Sequence, residues 1–195
     1  MAQDARGKQT RGDILQTAAR LFSIHGYFHT STSDIIGAVS VSKGAFYHHF
    51  KSKEDLAMAI MGQLRSDYQQ LVIEPVNSAG PGERPREMLR RIVALNESGQ
   101  WCNCLLLVRL AGEMAQQEGD LSERIREIVN WLLDFWEEII SDAQKAGAVS
   151  ERFDARRLAE LIFSTLAGAI SYRELDEEVG RLSEIAEYLQ AMITA

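Results

Sequence analysis

Cysteine and proline are scarce in this chain, and long apolar runs are missing. Only two of the 195 residues are cysteine, Cys102 and Cys104, which is too few for a disulfide framework and fits a reducing compartment. No apolar run is long enough for a membrane span, and the opening residues lack the apolar core of a signal peptide. These absences predict a cytoplasmic protein with no membrane partner.

Histidine and excess positive charge are missing from most of the chain. All four histidines lie in residues 1–53, where seven Lys and Arg face three Asp and Glu, whereas the remaining residues hold fourteen against twenty-five. A basic head on an acidic body concentrates phosphate attraction at one end. Without histidine, residues 54–195 cannot build the usual catalytic constellations, and the two cysteines lack the spacing of a zinc site. We therefore expect no enzyme, no metal and no other cofactor.

Residues 31–53 predict two short helices joined by a tight turn. Ser31 and Asp34 form a capping box before an apolar pair, so a helix starts there and runs to about Val39. Ser42 caps a second helix, which places Phe46 and Phe50 four residues apart on one buried face. In a helix-turn-helix of this kind, the second helix can enter the major groove of DNA.

These residues resemble the TetR family of bacterial transcription repressors. The likeness covers Gly26-Tyr27, Thr30 to Asp34 and the run from Val41 to Leu56. It implies an all-α homodimer, with an N-terminal three-helix helix-turn-helix DNA-binding domain in residues 1–53 and a C-terminal helical ligand-binding and dimerisation domain in residues 54–195. One departure is Ser40, where the family has glycine; a serine held there in the left-handed conformation would carry about 1 kcal/mol of strain.

The outer face of the second helix carries the expected DNA contacts. Lys43, Gly44 and Ala45 are expected at base edges, because a lysine donates to guanine and an alanine methyl group meets thymine. Tyr47, His48 and His49 are expected to contact phosphates, as the resemblance also implies. The alternative is that the histidines only cover the surface of the domain and contact no DNA. The starts of the two helices add three hydroxyl groups suited to phosphate, those of Thr32, Ser33 and Ser42.

Lys53 lies in the first turn of the next helix, which Ser52 and Asp55 cap. A helix dipole disfavours a cation at this end, and a DNA phosphate would turn the disadvantage into a contact. The alternative is a tolerated surface lysine. A phosphate contact predicts that Lys53→Ala reduces the salt dependence of DNA binding.

The remaining chain predicts helices around one loop. Residues 1–9 are expected to be disordered, and an amphipathic helix follows and ends at His25. A helix from Ser52 to about Val72 connects head and body, and the three prolines between residues 75 and 85 mark a loop. Arg109 and Glu113 lie four residues apart on a mostly apolar helix, so we expect them to pair with each other; the alternative is that Arg109 meets an anionic ligand.

The aromatic and methionine side chains of the C-terminal helices suit a cavity for a flat, apolar ligand, and they suit an ordinary core equally well. The candidate lining residues are Met88, Trp101, Cys104, Met114, Trp131 and Phe135. The segment around Cys104 also resembles TetR subgroups that sense multidrug-like or electrophilic compounds, although Asn103 replaces their glycine. Cys104 is either a sensing thiol or a buried structural cysteine.

The last two helices carry more apolar positions than one subunit needs, which favours a symmetric four-helix dimer interface. The candidate interface residues are Leu158, Ile162, Leu166, Gly168, Ile170, Leu182, Ile185 and Leu189. The alternative is that both helices pack within their own subunit.

The sequence thus predicts a ligand-responsive repressor, a homodimer that binds a palindromic operator in double-stranded DNA and is released by a small apolar or aromatic inducer. Two alternatives remain open. One is a helical ligand-binding or scaffolding dimer without DNA binding, and the other is a repressor that senses electrophiles or redox change through Cys104.

Overall fold

The computed structural model describes residues 2–98, 103–173 and 181–194, with the backbone alone for residues 2–6, 103, 104 and 173. Within these ranges the chain is helical, as predicted, and the one β-type contact is an isolated bridge between Val149 and Thr194. The α-helices are α1 (Ala2–His25), α2 (Thr32–Val39), α3 (Lys43–His49), α4 (Lys53–Tyr68), α5 (Glu74–Asn77), α6 (Arg84–Glu97), α7 (Asn103–Met114), α8 (Asp120–Lys145), α9 (Ala155–Arg173) and α10 (Leu182–Ile193).

The first helix ends as predicted and begins earlier than predicted. It starts at Ala2, so the expectation of disorder over residues 1–9 is wrong for the described residues 2–9. Apart from its glycine, this stretch is composed of residues compatible with a helix, and the amphipathic turns that follow extend backward into it. At the other end, Gly26 adopts a positive φ of 87° and its N–H donates to the Phe22 carbonyl, which closes the helix as a C′ glycine does.

The helix that joins head to body is not uniform. Its α-helical part ends at Tyr68, and a π-helical turn, Gln69–Ile73, leads directly into α5. The loop predicted around the three prolines is therefore shorter than expected. Pro75 and Pro85 both lie in the first turn of a helix, where the missing N–H costs nothing, and the turn between them spans residues 78–83.

The body is built around α8, which packs on α4, α6, α7 and α9. Its inner face buries apolar side chains at helical spacing along its full length, including Ile125, Leu132 and Ile139. The central position predicted for α7 is also observed, because α7 packs on both α8 and α9 and buries Leu106 and Leu110 completely. Helix α7 packs on α1 as well, so it contacts both the head and the body.

Candidate DNA-binding face and ligand cavity

The start of α2 has the predicted capping box. The backbone N–H of Asp34 donates to Ser31 Oγ at 3.1 Å, and the Ser31 backbone N–H donates to Asp34 Oδ2 at 2.8 Å. The Ser31 hydroxyl also donates to the same carboxylate oxygen at 2.6 Å. These hydrogen bonds stabilise the ionised carboxylate, so the pKa of Asp34 is lowered. The first element of the motif is therefore fixed by its own local sequence.

The turn between α2 and α3 holds Ser40 in the left-handed conformation, with φ 59° and ψ 40°. Its N–H donates to the Gly37 carbonyl, and the N–H of Val41 donates to the Ile36 carbonyl at 3.3 Å. The strain expected for a left-handed serine at this position is therefore present, because a serine side chain disfavours a positive φ. Ser42 then begins α3 by accepting the Ala45 N–H at 3.1 Å.

Helix α3 separates its apolar and polar residues as predicted. Phe46 and Phe50 are buried in the core, at 0% and 1% exposure. The opposite face exposes Lys43, Gly44, Tyr47 and His48, whereas Ala45 and His49 are half-buried. A Cβ added to Gly44 would meet nothing closer than Ser42 Oγ at 3.9 Å, so the fold itself does not require glycine there. The exposed side of α3 is thus free to approach another molecule.

The two histidines at the end of α3 lie against each other, with ring centroids 5.1 Å apart. Partial burial lowers the pKa of His49, and the neighbouring His48 and Arg11 lower it further because they disfavour a second positive charge. The Arg11 guanidinium lies over the Phe50 ring at 5.0 Å from its centroid. At the start of α2, Ser33 is exposed and Thr32 is half-buried, on the same end of the helix as the cap.

Lys53 has a structural environment that the sequence does not predict. Its Nζ donates to the Tyr27 carbonyl at 2.9 Å and to the Thr30 carbonyl at 3.0 Å, and it lies 4.2 Å from the centroid of the Tyr27 ring. Partial burial lowers the pKa of Lys53, while the nearby Glu113 carboxylate raises it. These contacts account for a cation in the first turn of α4 without a phosphate, so the sequence argument for a phosphate contact at Lys53 loses its basis.

Arg109 and Glu113 do not pair with each other, which corrects the sequence prediction. Arg109 Nη1 donates to the carbonyl of Ile24 in the last turn of α1. Glu113 Oε2 instead accepts the backbone N–H of Tyr27 at 2.8 Å and that of Phe28 at 3.2 Å. Spacing along one helix makes such a pair possible, but both side chains instead satisfy backbone groups of the head. No local sequence signal identifies these long-range contacts.

A cavity lies between the helices of the body. Its volume is about 30 Å³, measured as the space that the centre of a water molecule can occupy. The lining residues, which come from α4, α6, α7, α8 and α9, are Tyr68, Met88, Ile92, Leu107, Val108, Leu132, Trp136, Phe163, Leu166, Ala167 and Ile170. None carries a formal charge at neutral pH. The Trp136 side chain is 1% exposed, so its ring is almost fully enclosed by the body.

The residues that the sequence proposed for ligand binding are not gathered at this cavity. Met88 lines it, whereas Met114, Trp131 and Phe135 do not. Met114 and Phe135 are buried elsewhere in the core, and the Trp131 ring lies under the Arg65 guanidinium at 4.9 Å. Trp101 and the side chain of Cys104 lie outside the described residues. The sequence missed Tyr68 and Trp136 because aromatic content alone does not say which rings line a shared space.

Most of the residues expected at a dimer interface lie in the subunit's own core. Leu158, Ile162, Leu166, Ile170, Leu182 and Leu189 are all buried, while Ile185 and Gly168 are half-buried. The alternative of packing within the subunit therefore holds for these six residues. A different apolar set on α9 and α10 is exposed, namely Leu161, Tyr172, Tyr188 and Met192, with exposures from 38% to 75%. Helix periodicity marked a face of α9 that the subunit itself covers, and it did not reveal the second apolar side of this helix.

Two further absences concern the described part of the chain. No group of three His, Cys, Asp or Glu side chains in residues 2–98, 103–173 and 181–194 is placed to hold a metal ion. Over the same ranges, no helix has the length and apolarity needed to cross a membrane.

Two capped helices at a tight turn, with an apolar inner face and a polar outer face, define a helix-turn-helix DNA-binding protein. Comparison with family models agrees and is more specific. Residues 14–60 match the model for bacterial regulatory proteins of the tetR family, and residues 84–189 match the tetracyclin repressor-like C-terminal domain. The chain belongs to the TetR family of DNA-binding transcriptional regulators. The N-terminal match extends into α4, and a domain boundary at residues 53 and 54 stays a prediction.

Relatives with assigned roles in transcription resemble most of this chain. The HTH-type transcriptional regulator UidR of Escherichia coli (strain K12) is 26% identical over 184 residues, which cover 94% of this chain and 91% of UidR. The solved structure of AibR in complex with isovaleryl coenzyme A and operator DNA has a TM-score of 0.80 and 26% identity, covering 95% of this chain and 98% of AibR. A TetR-family regulator from Agrobacterium tumefaciens has the same fold, with a TM-score of 0.85, 23% identity and coverage of 97% and 100%.

Proposed function

We propose that this protein is a ligand-responsive repressor, a homodimer that binds a palindromic operator and is released by a small, largely apolar inducer. The observation that carries the proposal is α3, whose phenylalanines are buried inside the head while its polar face is exposed. The proposal is further supported by AibR, a relative whose structure was solved with both operator DNA and an acyl-coenzyme A.

In the proposed complex, α3 lies in the major groove. Lys43 donates to a guanine, Gly44 lets the backbone approach the DNA, and the Ala45 methyl group contacts a thymine. Hydroxyl and imidazole groups at the start of α2 and along α3 contact phosphates, which fix the register of the helix but carry no sequence information. The phosphate contacts are those of Thr32, Ser33, Ser42, Tyr47, His48 and His49.

The proposed dimer uses the exposed apolar face of α9 and α10. Leu161 and Tyr172 on α9 and Tyr188 and Met192 on α10 are large apolar side chains that a single subunit leaves exposed on two adjacent helices. Two copies of this pair would form a four-helix interface with a two-fold axis. Such a dimer would present its two α3 helices to successive major grooves, so half-sites should be about 10 base pairs apart, or a multiple of that.

The proposed inducer site is the cavity among α4, α6, α7, α8 and α9. Its lining carries no formal charge, so it favours an uncharged, apolar group over an ion that would lose its hydration. An acyl chain or an aromatic ring fits this chemistry. Ligand pockets have volumes of about 300–1,000 Å³, so a cavity with room for only one or two waters must widen when it binds a ligand.

Induction then needs a ligand that prefers one conformation of the dimer. If the widened cavity is compatible only with a head spacing that does not match the operator, a preference of a few kcal/mol releases the DNA. A ligand with equal affinity for free and operator-bound protein would not act this way. Titrating both forms with the same ligand measures the difference directly.

The proposal is tested by a salt-dependent mobility-shift titration of the purified protein on DNA from directly upstream of its own gene, with random DNA of equal length as control. We expect a specific, dimer-sized shift that Lys43→Ala and Tyr47→Ala abolish. Lys145→Ala is the matched control, because it removes an exposed cation from the body. Equal and weak binding to both DNAs would contradict the proposal and favour a ligand-binding or scaffolding dimer.

A further inference from the structure

Three charged side chains join α7 and α4 to the end of α1 and to the loop that precedes the helix-turn-helix. Glu113 on α7 accepts two consecutive backbone N–H groups, those of Tyr27 and Phe28. One turn earlier, Arg109 donates to the carbonyl of Ile24 at the end of α1. The residues that bond in this way are more than 80 positions apart in the sequence. A carboxylate from the body therefore completes the hydrogen bonding of the head.

Gly26 makes the approach of this carboxylate possible. A Cβ at this position would lie 2.1 Å from Glu113 Oε1, far inside van der Waals contact. The same residue has a φ of 87°, which any residue with a side chain disfavours. Two separate features of the loop, its backbone conformation and the missing side chain, thus fit the position of Glu113.

Lys53 holds the other side of the same loop. The Tyr27 N–H donates to Glu113, while the Tyr27 carbonyl accepts from Lys53. Lys53 also binds the carbonyl of Thr30, which directly precedes Ser31, the N-cap of α2. A carboxylate and an ammonium thereby fix the chain immediately before the helix-turn-helix begins. Charged groups form stronger hydrogen bonds than neutral ones, so the loop is held firmly from both sides.

We propose that Glu113 is a positioning residue for DNA reading: its carboxylate sets the placement of the helix-turn-helix relative to α7, so that operator affinity depends on a side chain in the body. This inference rests on the proposed repressor function. Helix α7 also lines the cavity through Leu107 and Val108, which directly precede Arg109 in the sequence. The same helix therefore lines the proposed ligand site and contacts the loop that precedes the helix-turn-helix.

Two variants of Glu113 and one control separate this role from a general effect of charge. Glu113→Gln keeps the shape of the side chain but removes its charge, and Glu113→Ala removes both bonds. Glu123→Gln is the control, because Glu123 is an exposed carboxylate on α8 and its loss changes the net charge by the same amount. Any gain in DNA affinity from reduced repulsion should appear equally in Glu113→Gln and Glu123→Gln.

The first measurement is the amide hydrogen exchange of Tyr27 and Phe28 by NMR in the full-length protein. We expect both amides to exchange about tenfold faster in Glu113→Ala than in the wild type, as loss of a hydrogen bond to a charged group predicts, with Glu113→Gln between the two. Far-UV circular dichroism and thermal unfolding establish that each variant is folded at the temperature used. Unchanged exchange in both variants would overturn the inference, because the carboxylate would then not hold the loop.

The second measurement is the affinity for upstream DNA and for random DNA. We expect Glu113→Ala to weaken operator binding about tenfold while random-DNA binding stays at the wild-type level, since a misplaced head still carries its positive charge. Faster exchange with unchanged operator affinity would overturn the positioning role. If the wild type itself fails to distinguish the two DNAs, the repressor function fails and this inference with it, whereas loss of discrimination only in the Glu113 variants supports both.

A double-substitution cycle tests the contact itself. Gly26→Ala should weaken operator binding through backbone strain and through displacement of the Glu113 carboxylate. In the Glu113→Ala background only the backbone strain remains, so the effect of Gly26→Ala should be several-fold smaller there. Equal effects in the two backgrounds would contradict a direct contact between Gly26 and Glu113.

Discussion

Replacement of Lys53 by methionine should destabilise the protein without changing the salt dependence of DNA binding. Methionine keeps an unbranched apolar side chain but loses the two hydrogen bonds to carbonyls and the contact with the Tyr27 ring. A hydrogen bond to a charged group contributes about 1.5–3 kcal/mol and a cation–π contact about 0.5–1 kcal/mol. Partial exposure and the cost of burying the ammonium offset much of the stabilisation that these contacts provide. The burial cost is also the reason that the pKa of Lys53 is lowered. We therefore expect a loss of about 1–2 kcal/mol.

Urea unfolding followed by circular dichroism, at one protein concentration for all variants, measures this loss. Lys43→Met is the matched control: its side chain is exposed on α3, so its removal should leave the free energy of unfolding unchanged and weaken operator binding through loss of the proposed guanine contact. Loss of a phosphate contact would instead reduce the slope of log affinity against log salt concentration by about 0.9. If Lys53→Met instead leaves the stability unchanged and reduces the slope, Lys53 binds phosphate and its structural assignment is wrong.

Three further predictions concern the head. Ser40→Gly should raise the free energy of unfolding by up to about 0.5 kcal/mol, because relief of about 1 kcal/mol of left-handed strain exceeds the entropy that glycine adds to the unfolded chain; urea unfolding that finds no gain would contradict the strain. Since the folded-state pKa of Asp34 is lowered, its carboxylate should stabilise the protein above about pH 4, and this contribution should disappear as the pH falls through the folded-state pKa. The free energies of unfolding of wild type and Asp34→Asn, measured at several pH values, should therefore become equal in acid. A phosphate beside His49 would raise its lowered pKa, so DNA binding takes up a proton. Operator affinity should therefore rise as the pH falls toward the lowered pKa of the free protein, below about 6.5, and it should rise more in the wild type than in His49→Gln. Equal pH profiles would argue against that contact.

Local signals in the sequence predicted the head in detail. The capping box at Ser31, the caps at Ser42 and Ser52 and the burial of Phe46 and Phe50 all agree with the structure. Each depends on residues no more than four positions apart, so the chemistry of a short segment is sufficient to decide it. The left-handed conformation of Ser40 agrees with the family resemblance, because the family has glycine at this position.

The sequence was less informative wherever an apolar or charged residue has a choice of partner. Periodicity along α9 correctly marked Leu158 and Ile162 as residues to be covered, but the cover comes from the subunit itself. The spacing of Arg109 and Glu113 likewise allowed a pair within α7, whereas both side chains bond the head. In each case the pattern states that a partner is needed and leaves open which one.

The amino-acid sequence by itself therefore determined the helical class, the helix-turn-helix and the face of α3 that can meet DNA, because caps, turns and helical periodicity act over a few residues. Only the tertiary structure decided that Lys53 and Glu113 hold the loop between them, that Tyr68 and Trp136 share a cavity, and that Tyr172 and Tyr188 are left exposed. These outcomes depend on how helices far apart in the chain pack against one another, and that packing is set by the sum of all their contacts rather than by any single segment.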